Sequence, residues 1–352
     1  MNMTNQDAIF SSKARNMSVL AALCVVLIHS GGGGMGSFTA KMAHQFLGWG
    51  LCTFAVPWFF FASGYFLAGH ASEEGWWKRA LKERARTLVL PYLLWCLMYV
   101  VFASALEILG AFQSGGTPWA SLTFSHCLWK GFGFDLMDHP RLVPFWYVRA
   151  LLVLVCVSPI VIWMLRKWRM GLILMILPLY VYCCAIHSKF DRPWFFFYSS
   201  FSLTGLVYFS AGILKRLRLT VPLENGICKI PSLCLWGLVI AFILVGRVSL
   251  YRGERILADF CWLLCIPPLV LGMWRLVPKR AWPEWLTQMA FPLFAIHYFA
   301  EHFLEWACLP LAHTSFWAYP ARWVIVVVCS MALARFMRKF LPREASILFG
   351  GR

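Results

Sequence analysis

The chain has 352 residues, of which 61% are hydrophobic and only 13% charged, with a mean hydropathy of +0.68. That composition excludes a soluble domain with a polar surface and leaves a multi-span membrane protein. The net charge of +17 is not a nucleic-acid footprint, because the bases sit in short segments between apolar runs rather than on one solvated face.

Apolar segments of roughly 20 residues, the length that crosses a bilayer, recur along the chain. They predict ten spans at 16–33, 47–69, 88–110, 143–165, 170–187, 197–214, 230–247, 256–275, 285–308 and 317–337. The fold class is therefore an all-α integral membrane protein of about ten transmembrane helices. Residues 1–12 form a short N-terminal segment, 13–340 the membrane domain and 341–352 a tail. Residues 13–30, with Lys13 and Arg15 ahead of an apolar run, resemble a signal peptide, but Ser30-Gly31-Gly32 is a poor cleavage site and a retained first helix is expected. Pro91, Pro144 and Pro231 stand at span starts, where a missing N–H costs least. Pro267, Pro268 and Pro292 are expected to kink helix interiors. With the N-terminus inside, 22 of the 32 Lys and Arg fall in cytoplasmic segments and nine outside, so both termini are expected to be cytoplasmic. Residues 111–142 then form one sizeable outer loop.

Most of the 13 cysteines lie within apolar runs and read as small core residues; their spacing suits neither a disulfide framework nor a metal, and no metal is expected.

Ionisable residues inside spans are expensive, and few occur. His29 closes the first span ahead of Gly31–Gly34, Glu107 closes the third, Arg149 lies in the fourth, Asp259 enters the eighth, and His297 with Glu301 lies in the ninth. The orientation puts them at similar depth, which predicts one polar cavity opening outward; the alternative is a set of separate helix–helix hydrogen bonds. An imidazole such as His29 can take and return a proton near neutral pH, although a lone histidine in a span also serves as a packing residue. His297 and Glu301 are spaced i, i+4, so that the carboxylate could orient the imidazole or each could make its own interhelical contact. Arg149 offers a planar fork for carboxylate or phosphate, and Trp146 and Tyr147 beside it offer a sugar platform; an aromatic belt with a snorkelling Arg is the alternative. The run from Lys78 to Arg86, with Arg79, Lys82, Arg84 and Arg86, is either an orientation signal or a docking patch for a polyanion such as a coenzyme A phosphate.

Five segments taken in order resemble the membrane acyltransferase-3 family of bacterial multi-span acyltransferases, over about residues 13–340. They are Val25-Val26-Leu27-Ile28-His29; Phe59-Phe60-Phe61-Ala62-Ser63-Gly64, similar to the family's Phe-Phe-x-x-Ser-Gly; the basic run ending Leu90-Pro91-Tyr92; Trp146-Tyr147-Val148-Arg149-Ala150-Leu151, similar to Trp-Phe-x-x-x-Leu; and Phe294-Ala295-Ile296-His297, similar to Tyr-x-x-His. The resemblance implies that His29 takes part in acyl transfer; Ser63, Trp146, Tyr147, Arg149, His297 and Glu301 are the residues expected to line the substrate site. The donor implied is acyl-CoA, most simply acetyl-CoA, met by Arg15, Arg79, Lys82, Arg84 and Arg86. The acceptor is a hydroxyl of an envelope glycan or lipid-linked saccharide, and the location the bacterial cytoplasmic membrane; a nucleic acid partner is not expected. One departure is that family members commonly carry Arg eleven residues before the histidine, where this chain has Ser18, with Arg15 a turn earlier. A ten-span secondary transporter is the alternative from composition alone.

Overall fold

Small residues on both sides of the first helix determine what surrounds it. In the computed structural model, which describes residues 5–31, 38–108, 129, 131–132, 140–168, 178, 202–219, 226, 229–307 and 317–351, helix α1 spans Asn5–His29. Ala14, Met17, Ala21, Cys24 and Val25 are buried in the main core, while Ala22 and Val26 are buried in a second cluster with Leu293 and Val326. Alanines on both faces let neighbouring backbones come close, so α1 runs through the middle of the bundle and carries His29 at one end.

The elements that follow are α2 (Phe38–Ala43), continued by a π-helical stretch His44–Leu51, then α3 (Ala55–Ala68). Next come α4 (Trp76–Arg84), a π-helical turn Ala85–Val89 and α5 (Leu90–Ile108), one continuous rod. A short 3₁₀ turn (Val143–Phe145), with Pro144 near its start, leads into α6 (Trp146–Trp168). Helix α7 (Leu203–Arg216) is capped by Ser202, whose hydroxyl accepts from the Gly205 N–H at 3.0 Å. The chain continues with α8 (Ser232–Tyr251), α9 (Arg255–Leu276), α10 (Glu284–Thr287), α11 (Ala290–Ala307), α12 (Ala318–Phe340) and α13 (Pro342–Leu348). Among the described residues there is no strand.

Among the described residues, seven stretches are long and apolar enough to cross a membrane: Asp7–His29, Lys41–Ala68, Trp76–Ile108, Val143–Trp168, Ser232–Tyr251, Arg255–Leu276 and Tyr319–Phe340. They correspond to seven of the ten expected spans. The sixth is described only from residue 202, as α7, and the ninth is divided into α10 and the 18-residue α11. The fifth, at 170–187, and most of the loop 111–142 lie outside the described residues. Outward faces are apolar: Leu233 is 84% exposed, Ile108 73% and Val101 63%, surface that water would not tolerate and hydrocarbon does.

Backbone contact sets the spacing of α3 and α7. A Cβ at Gly64 would stand 2.1 Å from the Phe209 carbonyl oxygen, and one at Gly212 would stand 2.0 Å from that of Phe61. The two glycines let the helices touch main chain to main chain, the small-residue packing of membrane bundles.

Base-rich segments collect at one end. Arg216 pairs with Asp7 at 2.7 Å; Ser12 donates to the Lys279 carbonyl at 3.0 Å; Asn16 donates to the carbonyls of Pro278 and Arg280 and accepts from the Trp282 N–H. Trp95 Nε1 donates to the Leu348 carbonyl at 2.9 Å and Phe349 is fully buried. Within the tail, residues 342–349 form a docked helix and anchor, because Trp95 and Phe349 offer each other a stacked partner 6.2 Å away. Pro267 and Pro268 lie inside α9 as expected, but Pro292 falls in the first turn of α11, where it displaces no intrahelical bond, and Pro159 is the interior proline of α6. His29, 22 residues beyond Asp7, stands about 33 Å along α1 from the base-rich end, a full bilayer core away.

Candidate active site

Near the far end of α1, carbonyls accept from side chains of other elements, and those of Leu27 and Ile28 lie in the last turn, where no helical N–H of α1 can reach them. Trp323 Nε1 donates to Leu23 at 3.1 Å, the Tyr319 hydroxyl to Leu27 at 3.0 Å, and His44 Nε2 to Ile28 at 2.8 Å. A carbonyl only accepts, so His44 carries its proton on Nε2. Gly31 is explained by the same contact: a Cβ there would lie 2.2 Å from the His44 ring. Residues 32–34 lie outside the described residues.

His29, half-buried, has its ring 5.3 Å from that of His297 and 5.5 Å from that of Tyr298, edge-on. His297 is fully buried, its Nδ1 2.8 Å from the Phe294 carbonyl and its Nε2 without a hydrogen-bond partner. Glu301 does not orient His297. Its Oε1 accepts from the Ser30 hydroxyl at 2.5 Å and its Oε2 from Arg322 Nε at 2.6 Å, both partners buried. Arg322 also reaches Glu305 at 3.2 Å, whose other oxygen pairs with His302 at 3.2 Å. The Ser30–Glu301–Arg322 chain ties the end of α1 to α11 and α12 beside the histidine pair. A second buried pair, Arg141–Glu107 at 2.5 Å, closes the same end of α5.

Arg322 and Arg141, two of the nine bases assigned outside by loop charge, are instead members of buried ion pairs. Arg322 lies inside the expected span 317–337, which is the signal that a charge there needs a buried partner.

Arg149 is buried, with the Tyr92 hydroxyl and Cys96 of α5 in its electrostatic environment, and so is not a snorkelling charge. Trp146 is buried in the core, 6.3 Å from Phe60. Tyr147 alone of the two aromatics reaches open space. That space is a cavity of about 220 Å³ bounded by Ser18, Ser63, Phe66, Arg84, Leu88, Tyr147 and Phe294 among others. Phe59, Tyr147 and Phe294, with ring centres 5.6 to 6.5 Å apart, wall off its inner end, and Phe294 lies 6.1 Å from the His297 ring. His29 with His297, and Glu301 with Ser30 and Arg322, thus meet at one end of the bundle as packed groups. The cavity reaches from Arg84 to Phe294, whose ring neighbours His297. Large aromatics fill the space between the cavity and the histidines.

Of the bases, Arg84 lines this cavity, whereas Arg79 is exposed and paired with Glu73 at 2.7 Å. Lys82 and Arg86 are exposed on the same rod. Arg15 is exposed on α1, and the position facing the cavity is Ser18, whose hydroxyl accepts from Trp58 Nε1 at 3.2 Å and donates to the Ala14 carbonyl at 2.8 Å. Asp259 is half-exposed near the start of α9. Cys24, Cys52, Cys96, Cys261 and Cys265 are buried free thiols, while Cys156, Cys234 and Cys329 are exposed on outward faces.

The family model described as an acyltransferase domain, Acyl_transf_3, matches residues 17–337. No curated protein and no solved structure matched the chain. The family match spans α1 from its second half, with His29, through nearly all of α12, with Arg322. It decides between the transferase and carrier readings of a many-span apolar chain: the protein belongs to the acyltransferase-3 family and is a multi-pass membrane acyltransferase.

Proposed function

We propose that the protein moves an acyl group, most simply acetyl, from cytoplasmic acyl-CoA to a hydroxyl of an envelope glycan or lipid-linked saccharide across the bacterial cytoplasmic membrane. In this reading the chain crosses ten times, and the base-rich end, with both termini, is cytoplasmic. The observation that carries the proposal is the line of features along α1: Arg84 and Ser63 on a cavity, an aromatic wall, then His29 against His297.

The cavity suits the donor. It is mostly apolar with the hydroxyl-bearing side chains of Ser18, Ser63 and Tyr147 on its lining, as a pantetheine arm requires, and Arg84 lines it on the rod that also bears Lys82 and Arg86, where phosphates would lie. Ser18 and His29 are eleven residues apart, about 16 Å along the helix, a distance of the order of that arm when extended. His29 takes the proton of the acceptor hydroxyl as its oxygen attacks the thioester carbonyl. The C–S bond breaks, and the proton passes to the leaving thiolate, giving the ester and free coenzyme A. Packed helices and aromatic rings exclude water, which would otherwise hydrolyse the thioester.

Membranes carrying the protein, supplied with labelled acetyl-CoA, test this. His29→Gln keeps size and hydrogen bonding but not basicity, so transfer should fall by about 10²–10⁴-fold while protein level and insertion are kept. A variant retaining more than about a tenth of the activity, above the whole of that range, makes His29 a packing residue and sinks the proposal.

A further inference from the structure

The histidine pair carries more than a ring contact. A carbonyl only accepts, so the 2.8 Å approach of His297 Nδ1 to the Phe294 oxygen requires Nδ1 to bear the proton. In the neutral ring, Nε2 is then a bare lone pair, fully buried and without a hydrogen-bond partner, a costly state unless something fills it. His29, whose ring stands beside it, can supply a donor. Two imidazoles joined by an N–H···N bond of about 2.9 Å, each nitrogen about 1.1 Å from its ring centre, have centres about 5 Å apart; the rings here are 5.3 Å apart and tilted by 41°, with the bond itself not made, so that a small turn of the half-buried His29 ring forms it. The carboxylates that could otherwise accept the His29 N–H are engaged, Glu301 by Ser30 and Arg322, Glu305 by His302 and Arg322.

We infer that His297 is the positioning residue of the acyl transfer: its bare Nε2 accepts the N–H of His29 and so fixes His29 in the tautomer whose other nitrogen is the base. The Phe294 carbonyl, His297 and His29 form a chain in which each member has one role. The carbonyl holds His297 in the Nδ1–H form, His297 can then only accept, and His29 can then only donate toward it. When His29 takes the hydroxyl proton, its other N–H already points at a lone pair, which stabilises the imidazolium without moving a second proton. An isolated imidazole divides between two tautomers and is a base at the required nitrogen only part of the time. The inference rests on His29 being the base, and the variants below separate the two claims.

The test uses full-length protein in liposomes and exploits the different reach of two amides: glutamine places an acceptor oxygen where Nε2 stood, whereas asparagine ends near Nδ1. With acetyl-CoA as donor, His297→Asn and His297→Phe should lower kcat by about 10- to 100-fold, the range of one hydrogen bond to a charged group, with KM for acetyl-CoA unchanged, and His297→Gln should lose less than about threefold. A second readout needs no activity. In protein labelled with ¹⁵N-histidine, the His29 ring signals, identified by their loss in His29→Gln, should report one tautomer in the wild type and in His297→Gln, and a mixture of two in His297→Asn and His297→Phe. Equal kcat in the Asn and Gln variants, or a His29 tautomer indifferent to His297, overturns the inference. Should His29→Gln remain active while the tautomer still follows His297, the base assignment has failed and the hydrogen bond has not.

Discussion

Replacing Arg322 with methionine removes the only cation that touches Glu301 among the described contacts. The pair is short, 2.6 Å, and its side chains are 7% and 3% exposed, so water cannot take over the role of the guanidinium. Breaking such a pair from one side costs about 3–5 kcal/mol, because the surviving charge stays buried. Unfolding entropy of about 2.1 cal/mol/K per residue, over 352 residues, makes each degree of Tm worth about 0.7 kcal/mol, so Arg322→Met should lower Tm by about 4–7 °C. The double variant Glu301→Gln/Arg322→Met should recover at least half of that loss, since an uncharged amide can still accept from Ser30 without leaving an unpaired charge. Thermal challenge followed by size-exclusion chromatography of the detergent-solubilised protein measures all three. An Arg322→Met protein within about 1 °C of wild type, against the several degrees expected, refutes the reasoning, as does a double variant no more stable than the single.

Two further outcomes follow from packing and charge. Gly64→Ala pushes a methyl into the Phe209 carbonyl and should cost about 1–3 kcal/mol or more, read as loss of monodisperse protein after heating, whereas Gly237→Ala, which meets nothing within 4 Å, should be neutral. Arg84→Ala should raise KM for acetyl-CoA by about 5- to 10-fold, as expected for one phosphate contact, while Arg79→Ala, an exposed base held by Glu73, should change it by less than about twofold; steady-state kinetics in membranes reads both.

Periodicity and loop charge carried the helices well, because the lengths that cross hydrocarbon and the bases that stay out of it are one-dimensional properties of a chain. His29 and His297 were legible as costly groups at one depth, and their depth agrees with the structure. What could not be read were the partners. Glu301 stands i, i+4 from His297, but its oxygens point to Ser30 and Arg322 on other helices, a choice made by bundle geometry and not by spacing. Gly31 reads as a helix end, yet its reason is the ring of His44, thirteen residues later. Arg15 and Ser18 are nearly on one face by helical count, and only the packing of α3 and α6 shows that Ser18 meets the cavity and Arg15 the surface. The π-helical stretches at His44–Leu51 and Ala85–Val89 left no signal that a period of 3.6 could register.

The contact of Gly64 with Phe209 and of Gly212 with Phe61 has a mechanical consequence. Main chains in contact can neither approach further nor slide without lifting over each other, so α3 and α7 move as a single rod, and Ser63 rides on it as a fixed mark. Any passage from the cavity to His29 must therefore be opened by the opposite wall, where Tyr147 on α6 and Phe294 on α11 meet Phe59 through rings alone. Rings can turn about two bonds without disturbing a helix. The gate, on this geometry, is a pair of rotating side chains set against an unyielding post, and its opening needs no rearrangement of the bundle.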